Sequence, residues 1–465
     1  MTPDAQQLAE RIAAELESPD ADGLKAGVAD ARAADIAEVL DLLDDQQRSR
    51  VLYSLSPRMM AEVVVELDEA VRGEVVEDLS DEKLTEIVEQ LPPDDAADVV
   101  GELSLEQFDE VLEHIPRAQS DEIAKLLSYG EESAGGLMNP RLLSLPASAT
   151  VAEAVEEVRA FAADEDLHYV YIVDGKERLV GVVPLRRLVV NARDTRLEEI
   201  CERDPITVSV HQDQEEVLLI IQKYDLAAVP VINDTGTLMG RITYDDVMDV
   251  AAQEADEDIY RMAGTDAAEL ETRSAVRAAR VRMTWLIPCI IGTLAAAGVI
   301  AFFGQTSLTS AHLAALLLFV PMIAATSGNA GIQTSTIVLR GFATGELAAS
   351  RLQLVFAREV RIAVLVGLAC SLVTGLLSGV MLLGLRRMGY ELATPADVKP
   401  MLMGTAVSLG MLCAIVESVG LGITLPFFFR RVGVDPAIAS GPLITSFNDL
   451  LSIAVYLSIA LLILT

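Results

Sequence analysis

The chain has 465 residues, with 35 Lys+Arg against 70 Asp+Glu, a formal net charge of −35 and 51% hydrophobic residues. An acid excess of this size excludes nucleic acid, whose phosphates it would repel, and favours metal cations as partners through the field of the whole surface. The charge is unevenly spread: 26 Lys+Arg and 63 Asp+Glu precede Trp285, and 9 and 7 follow from it. The first part is therefore soluble and acidic (−37), and the second is apolar (+2).

The N-terminus has no apolar signal region, so targeting is expected from the later spans. From Ala34 to Tyr129 the sequence repeats every 12 residues: Leu43-Asp44-Asp45, Leu55-Ser56-Pro57, Leu67-Asp68-Glu69, Leu79-Ser80-Asp81, Leu91-Pro92-Pro93 and Leu103-Ser104-Leu105, continued by Ile115-Pro116 and Leu127-Ser128. Ser, Asp and Pro in these places mark helix starts, so each unit reads as one short helix in a stacked superhelix. Asp94 and Asp98 fall four apart on one helical face, either sharing a cation or simply solvated.

After Tyr129 the pattern changes. Strand, helix, strand, strand and short helix succeed one another between Leu142 and Leu188, and the order recurs from Ile206 to Val250. This reads as a pair of α/β modules. The second ends in Gly240-Arg241-Ile242-Thr243-Tyr244-Asp245-Asp246, which resembles the G-x-x-T-x-x-D ending of a cystathionine-β-synthase-type (CBS) domain. In that family the Thr and Asp hold an adenosine ribose, which makes Thr243 and Asp246 the candidates for ATP. The first module departs from the pattern, with Arg187 where the Asp would stand. Acids then crowd together: Asp245, Asp246, Asp249, Glu254, Asp256, Glu257 and Asp258. Like charges at helical spacing destabilise a helix unless a cation bridges them, and hard divalent ions take carboxylate oxygens. A basic helical connector, Thr272 to Arg282, leads to the first apolar run.

Five apolar spans are expected, at about Thr284 to Phe303, His312 to Val338, Ile362 to Leu385, Met401 to Phe428 and Pro442 to Leu464. Arg277, Arg280, Arg282, Arg340, Arg351, Arg358, Arg361, Arg430 and Arg431 fall on one side, and Arg386, Arg387 and Lys399 on the other. The bias places the acidic part in the cytoplasm and the C-terminus outside the cell membrane. Asp449 lies inside the last span, preceded by Gly441, Thr445, Ser446 and Asn448. A carboxylate at that depth costs roughly 3 kcal/mol unless it faces water or a partner. At a helix start the dipole would also favour it. Glu417 is a second acid within a span.

Cys201, Cys289, Cys370 and Cys413 show no paired spacing, and four scattered His give no ligand pattern. No nucleophile–base arrangement, P-loop or metal-hydrolase motif is present, so the chain does not read as an enzyme.

These features together resemble the MgtE family of magnesium channels. The resemblance rests on the helical repeat, Tyr129 to Met138 (Y-x-E-x-x-A-G-G-x-M), the CBS pair, Pro321…Gly328-Asn329-x-Gly331-x-Gln333, Gly433-Val434-Asp435-Pro436-Ala437 and Pro442…Asp449. It implies a multi-domain α-helical membrane protein: an all-α superhelical repeat domain (1–130), an α/β CBS-domain pair (131–198 and 199–255), a connector helix (256–283) and five transmembrane helices (284–465). It also implies a homodimer in the lipid bilayer, with Asp449 binding the hydrated ion in the pore. Cytosolic Mg²⁺ sites are implied at Asp213, Glu215, Asp234, Asp246, Asp249, Glu254, Glu257 and Asp258, with Asp94 and Asp98 in the repeat domain and Asp435 near the membrane. Ser327, Ile332 and Gly441 depart from the family pattern.

Mg²⁺ dehydrates reluctantly, so a pore for it should offer oxygens to a hydrated ion. One Asp449 half-neutralises a divalent ion, and a two-fold axis would supply the second. Asn329 and backbone oxygen near Thr445 are candidates for holding the water shell. The expected function is a Mg²⁺-selective uptake channel closed by internal Mg²⁺ acting on the acidic domain. The alternatives are a secondary transporter of another divalent ion such as Co²⁺, with Glu417 carrying protons, and a membrane-tethered CBS nucleotide sensor without transport.

Overall fold

A computed structural model describes residues 3–16, 21–161, 167–266, 269, 274–306, 308, 310–344, 347, 352–389, 399–439 and 441–464. Thr272, Arg273, Arg351 and Ser440 lie outside them. The chain forms two units, Met1–Gln253 and Glu254–Thr465.

In the first unit the 12-residue period is the period of the helices themselves. Helices begin at Ala33, Asp45, Pro57, Glu69, Asp81, Pro93, Leu105 and Arg117. Each needs its first turn's orphan N–H groups satisfied. Asp44 accepts from the Gln47 N–H, Ser56 from Met59 and Ser104 from Gln107. Eight to ten residues are too few for a stable isolated helix, so packing holds them. Alternate helices pack on one another: Ala33–Leu40 on Pro57–Val65, that on Asp81–Gln90, that on Leu105–His114, and Pro93–Gly101 on Arg117–Leu126. Two rows result. Arg48, buried and paired to Glu74, ties two helices of the second row. The Leu127-Ser128 signal starts no helix. The next begins only at Ala134, after Ser133 caps it.

Gly135 and Gly136 dock this stack onto the second α/β module. The Gly135 N–H donates to Val210 O at 2.9 Å. A Cβ at Gly135 would lie 2.6 Å from the Tyr129 ring and 2.8 Å from Val210 O, and one at Gly136 2.6 Å from Gly130 O. The helical stack and the second module accordingly share one apolar core, which runs to Val250, while the first module has its own around Val170, Ile172 and Val183.

The modules are copies of one plan. In the first, Ser144–Pro146 pairs in parallel with Tyr169–Val173, which pairs antiparallel with Leu179–Pro184, and Glu202–Arg203 closes the edge. In the second, Val208–Ser209, Ala228–Ile232 and Leu238–Thr243 repeat the parallel and antiparallel steps. Both hairpins carry an irregularity at the same place, Ile172/Val173 and Val231/Ile232. Their turns exchange hydrogen bonds reciprocally, Leu179 N to Gly236 O and Leu238 N to Glu177 O, both 3.1 Å. Glu177 and Gly236, the equivalent turn residues, both have positive φ.

In the second unit, the stretch 256–283 read as one connector helix is divided. The helix Tyr244–Ala263 stops at Gly264, whose φ of 81° ends a helix readily, and a new helix begins at Ala275 and continues as the first span to Phe303. The span expected at His312 to Val338 is likewise two helices, Ser310–Leu317 and Val320–Ala343, with Pro321 in the first turn of the second. Helices Leu352–Arg387, Pro400–Val432 and Gly441–Leu464 complete the set. Among the described residues four helices are long and apolar enough to cross a bilayer, in Ala275–Phe303, Gln353–Arg387, Pro400–Val432 and Gly441–Leu464. Val320–Ala343 is not among them, because Thr326, Ser327, Asn329 and Gln333 dilute its apolar residues.

Helix Pro400–Val432 is the centre of the bundle and packs on Leu352–Arg387, Val320–Ala343 and Gly441–Leu464. Glycine makes these contacts close, as expected where lipid gives no hydrophobic drive between helices. A Cβ at Gly404 would lie 2.7 Å from Gly375 O, and one at Gly422 2.4 Å from Gly331 O. The buried Tyr456 hydroxyl donates to Leu316 O at 3.0 Å, satisfying a carbonyl where helix Ser310–Leu317 ends.

Candidate functional site

Three groups of polar residues are assembled, one in the first unit and two in the second. In the first, helix Pro93–Gly101 carries Asp94, Asp95 and Asp98, and helix Tyr244–Ala263 carries Asp245, Asp246 and Asp249. Their charges act on one another. Burial, then Asp95 and Asp246, hold the Asp94 carboxyl well above the usual range. Burial, then Asp98, Asp246 and Asp245, push Asp95 up to about 7, against the pull of Arg72. Burial raises Asp246 and Asp249 as well, and Glu66 is raised by burial and by Asp249. The candidates Asp94, Asp98, Asp246 and Asp249 are thus neighbours. Asp95, Asp245 and Glu66 join them. Asp245 was signalled by its place in the acid run, Asp95 only by adjacency to a candidate, and Glu66 by nothing in its repeat unit. Asn139 Nδ2 donates to Asp94 Oδ1 at 3.1 Å.

Other candidates stand elsewhere. Asp213 caps helix Gln214–Tyr224, accepting from the Glu215 N–H, and lines an open cleft with Glu131, Glu132, Ser133 and His211. Asp234 is exposed in a hairpin turn where Asn233 accepts from Thr235 and Thr237. The nucleotide candidates are turned on each other: the Thr243 N–H and Oγ1 donate to Asp246 Oδ2 at 2.8 and 2.7 Å. In the first module Arg187 is held by Ile200 O and by Glu202 at 2.7 Å.

The second group lies at the end of helix Tyr244–Ala263. Arg261 pairs with both Glu257 and Asp435. Asp435 Oδ1 accepts from the Ala437 N–H at 2.8 Å. Burial, then Asp435 and Glu254, push Asp258 up to about 6. The same helix end meets the start of the last span: a Cβ at Gly441 would lie 2.9 Å from Met262 O, and one at Gly264 2.5 Å from the Pro442 ring.

The third group is in the spans. On the last helix, at 100° per residue, Asp449 lies on the buried arc that includes Asn448, Ser452, Ile453 and Tyr456, with Phe447 and Leu451 exposed opposite. Asp449 is half-buried and has no hydrogen-bond or ion-pair partner among the described residues. Thr445, one turn earlier, donates its hydroxyl to Gly441 O at 2.6 Å. Asn329 is exposed, as is Gln333 one turn on. Both oxygens of Glu417 are buried with no hydrogen-bond partner. Among the described residues no three His, Cys, Asp or Glu side chains stand close enough to hold a metal ion directly.

Comparison with known proteins matches each part of the chain. Residues 320–459 match a divalent cation transporter family model, 31–132 the MgtE intracellular N domain, and 134–193 and 197–253 CBS domains. The chain is 35% identical over 346 residues to the magnesium transporter MgtE of Thermus thermophilus, covering 74% of this chain and 72% of that one. It is 31% identical to the Bacillus subtilis magnesium transporter MgtE over the same shares. A solved structure, the cytosolic domain of the Mg²⁺ channel MgtE in complex with ATP, aligns at 32% identity with a TM-score of 0.50, over 52% of this chain and 99% of that one. On these matches, which run through the helical repeat, the CBS pair and the spans, the chain belongs to the MgtE family of magnesium transporters.

Proposed function

We propose that the chain is a Mg²⁺-selective channel for magnesium uptake, working as a homodimer with five spans per subunit and its C-terminus outside. The proposed domain bounds are 1–130, 131–198, 199–255, 256–283 and 284–465. The observation that carries the reading is Asp449, unpaired on the inward arc of the last helix. A two-fold axis beside it would bring two carboxylates to one ion and leave the ion its water. Helix Val320–Ala343, too polar to face lipid, would serve as the fifth span lining the passage, with Asn329 and the backbone near Thr445 holding the hydration shell.

The acids supply the gate. Without Mg²⁺ the clusters around Asp94 and Asp246, and around Asp258 and Asp435, repel themselves. The donors are all carboxylate oxygens, which fits a hard divalent ion. Mg²⁺ binding the compact state better than the open one would shift the population towards closure. The test is Mg²⁺ flux through reconstituted protein with and without Asp449→Ala. Flux unchanged by that substitution would refute the reading.

Coupled transport of another divalent ion is the second reading, favoured by the buried, unpartnered Glu417. A proton gradient would then alter the flux, and Glu417→Gln would abolish its effect.

A further inference from the structure

Asn448, one residue before Asp449, is wholly buried. Its Nδ2 donates to Ala324 O at 3.1 Å, across to helix Val320–Ala343. It reaches that carbonyl past Gly328, where an added Cβ would lie 3.3 Å from the same Nδ2. Its Oδ1 is buried with no hydrogen-bond partner. A side chain kept only to fill space would be better apolar, because an orphaned buried acceptor costs stability that Leu, of similar volume, would not.

We propose that Asn448 is a positioning residue for permeation: its amide, seated in the slot that Gly328 leaves open, fixes the rotation of the last span and so aims Asp449 into the passage. Neighbouring residues on a helix point 100° apart. A tie at 448 therefore sets the direction of 449, while a turn of a few tens of degrees would bury the carboxylate against a neighbour. The proposal rests on the reading that Asp449 holds the permeating ion.

The test uses full-length protein in proteoliposomes, with Mg²⁺ uptake followed across a range of external Mg²⁺. Asn448→Leu should melt at the wild-type temperature or above, yet raise the half-saturating Mg²⁺ concentration at least tenfold. Gly328→Ala, which crowds the amide and leaves residue 448 intact, should shift it in the same direction. Wild-type half-saturation in Asn448→Leu overturns the proposal. If that variant does not fold, wild-type half-saturation in Gly328→Ala overturns it instead. Asp449→Asn is measured alongside: wild-type uptake there overturns the reading of Asp449, whereas loss of uptake there with a normal Asn448→Leu overturns only the role of Asn448.

Discussion

Arg261 pairs with Asp435 across 174 residues of chain, and the same guanidinium holds Glu257 one turn back on its own helix. It stands as a tethered cation on two of the acids proposed to receive Mg²⁺. Arg261→Gln uncovers both. A partly exposed ion pair is worth about 1 kcal/mol, so the half-inhibiting internal Mg²⁺ concentration should fall about fivefold. Patch-clamp recording with stepped internal Mg²⁺ reads this directly. A rise in that concentration would instead make Arg261 a strut of the closed state.

The raised carboxyls around Asp94 make stability depend on pH. Asp95 moves from 3.8 to about 7, and Asp94, Asp246 and Asp249 move in the same direction. The folded state therefore keeps protons that the unfolded chain releases, and stability from this cluster falls as pH rises from about 4 through 7. Thermal unfolding of the metal-free chain in detergent should show a lower midpoint at pH 8 than at pH 5. Millimolar Mg²⁺, replacing the lost protons, should raise the midpoint more at pH 8. An equal rise at both would place the ion elsewhere.

Neutralising Asp246, Asp249 and Glu254 to Ala together should leave a pore that conducts at internal Mg²⁺ concentrations that close the wild type. An inhibition curve identical to wild type in patch-clamp recordings would remove the cytosolic acids from gating.

Gly135→Ala tests the docking of the helical stack on the second module. The new Cβ would meet the Tyr129 ring and the Val210 carbonyl, and Val210 is held in place by its N–H, which donates to Ile232 O at 3.0 Å. Destabilisation of about 1–3 kcal/mol is expected, read as a drop in the unfolding midpoint. Gly175→Ala, whose Cβ meets nothing within 4 Å, is the control.

Much of this was legible because the signals were local. Helix starts at Asp45, Pro57 and Leu105 follow from capping residues that satisfy their own helix. The two modules were readable from β-branched strands that alternate with helical faces. What the sequence did not show were relations between distant segments. Glu66 enters the acid cluster only because the stack brings helix Pro57–Val65 near Asp249. Arg261 sits in an ordinary acidic helix until Asp435 arrives beside it. Asn448 read as one of several small polar residues before Asp449, since nothing nearby in the chain announces Ala324 as its acceptor. The break at Gly264 was missed because helical composition resumes on both sides of it.

The alternate pairing of the repeat helices limits how this domain can change length. Removing one unit would send every later helix into the opposite row and turn its apolar side to water. Removing two consecutive units would return each to its own row and merely shorten the stack. Insertions and deletions between Asp45 and Arg117 should therefore survive in even numbers of units, so that descendants of such a stack differ in length by whole helix pairs.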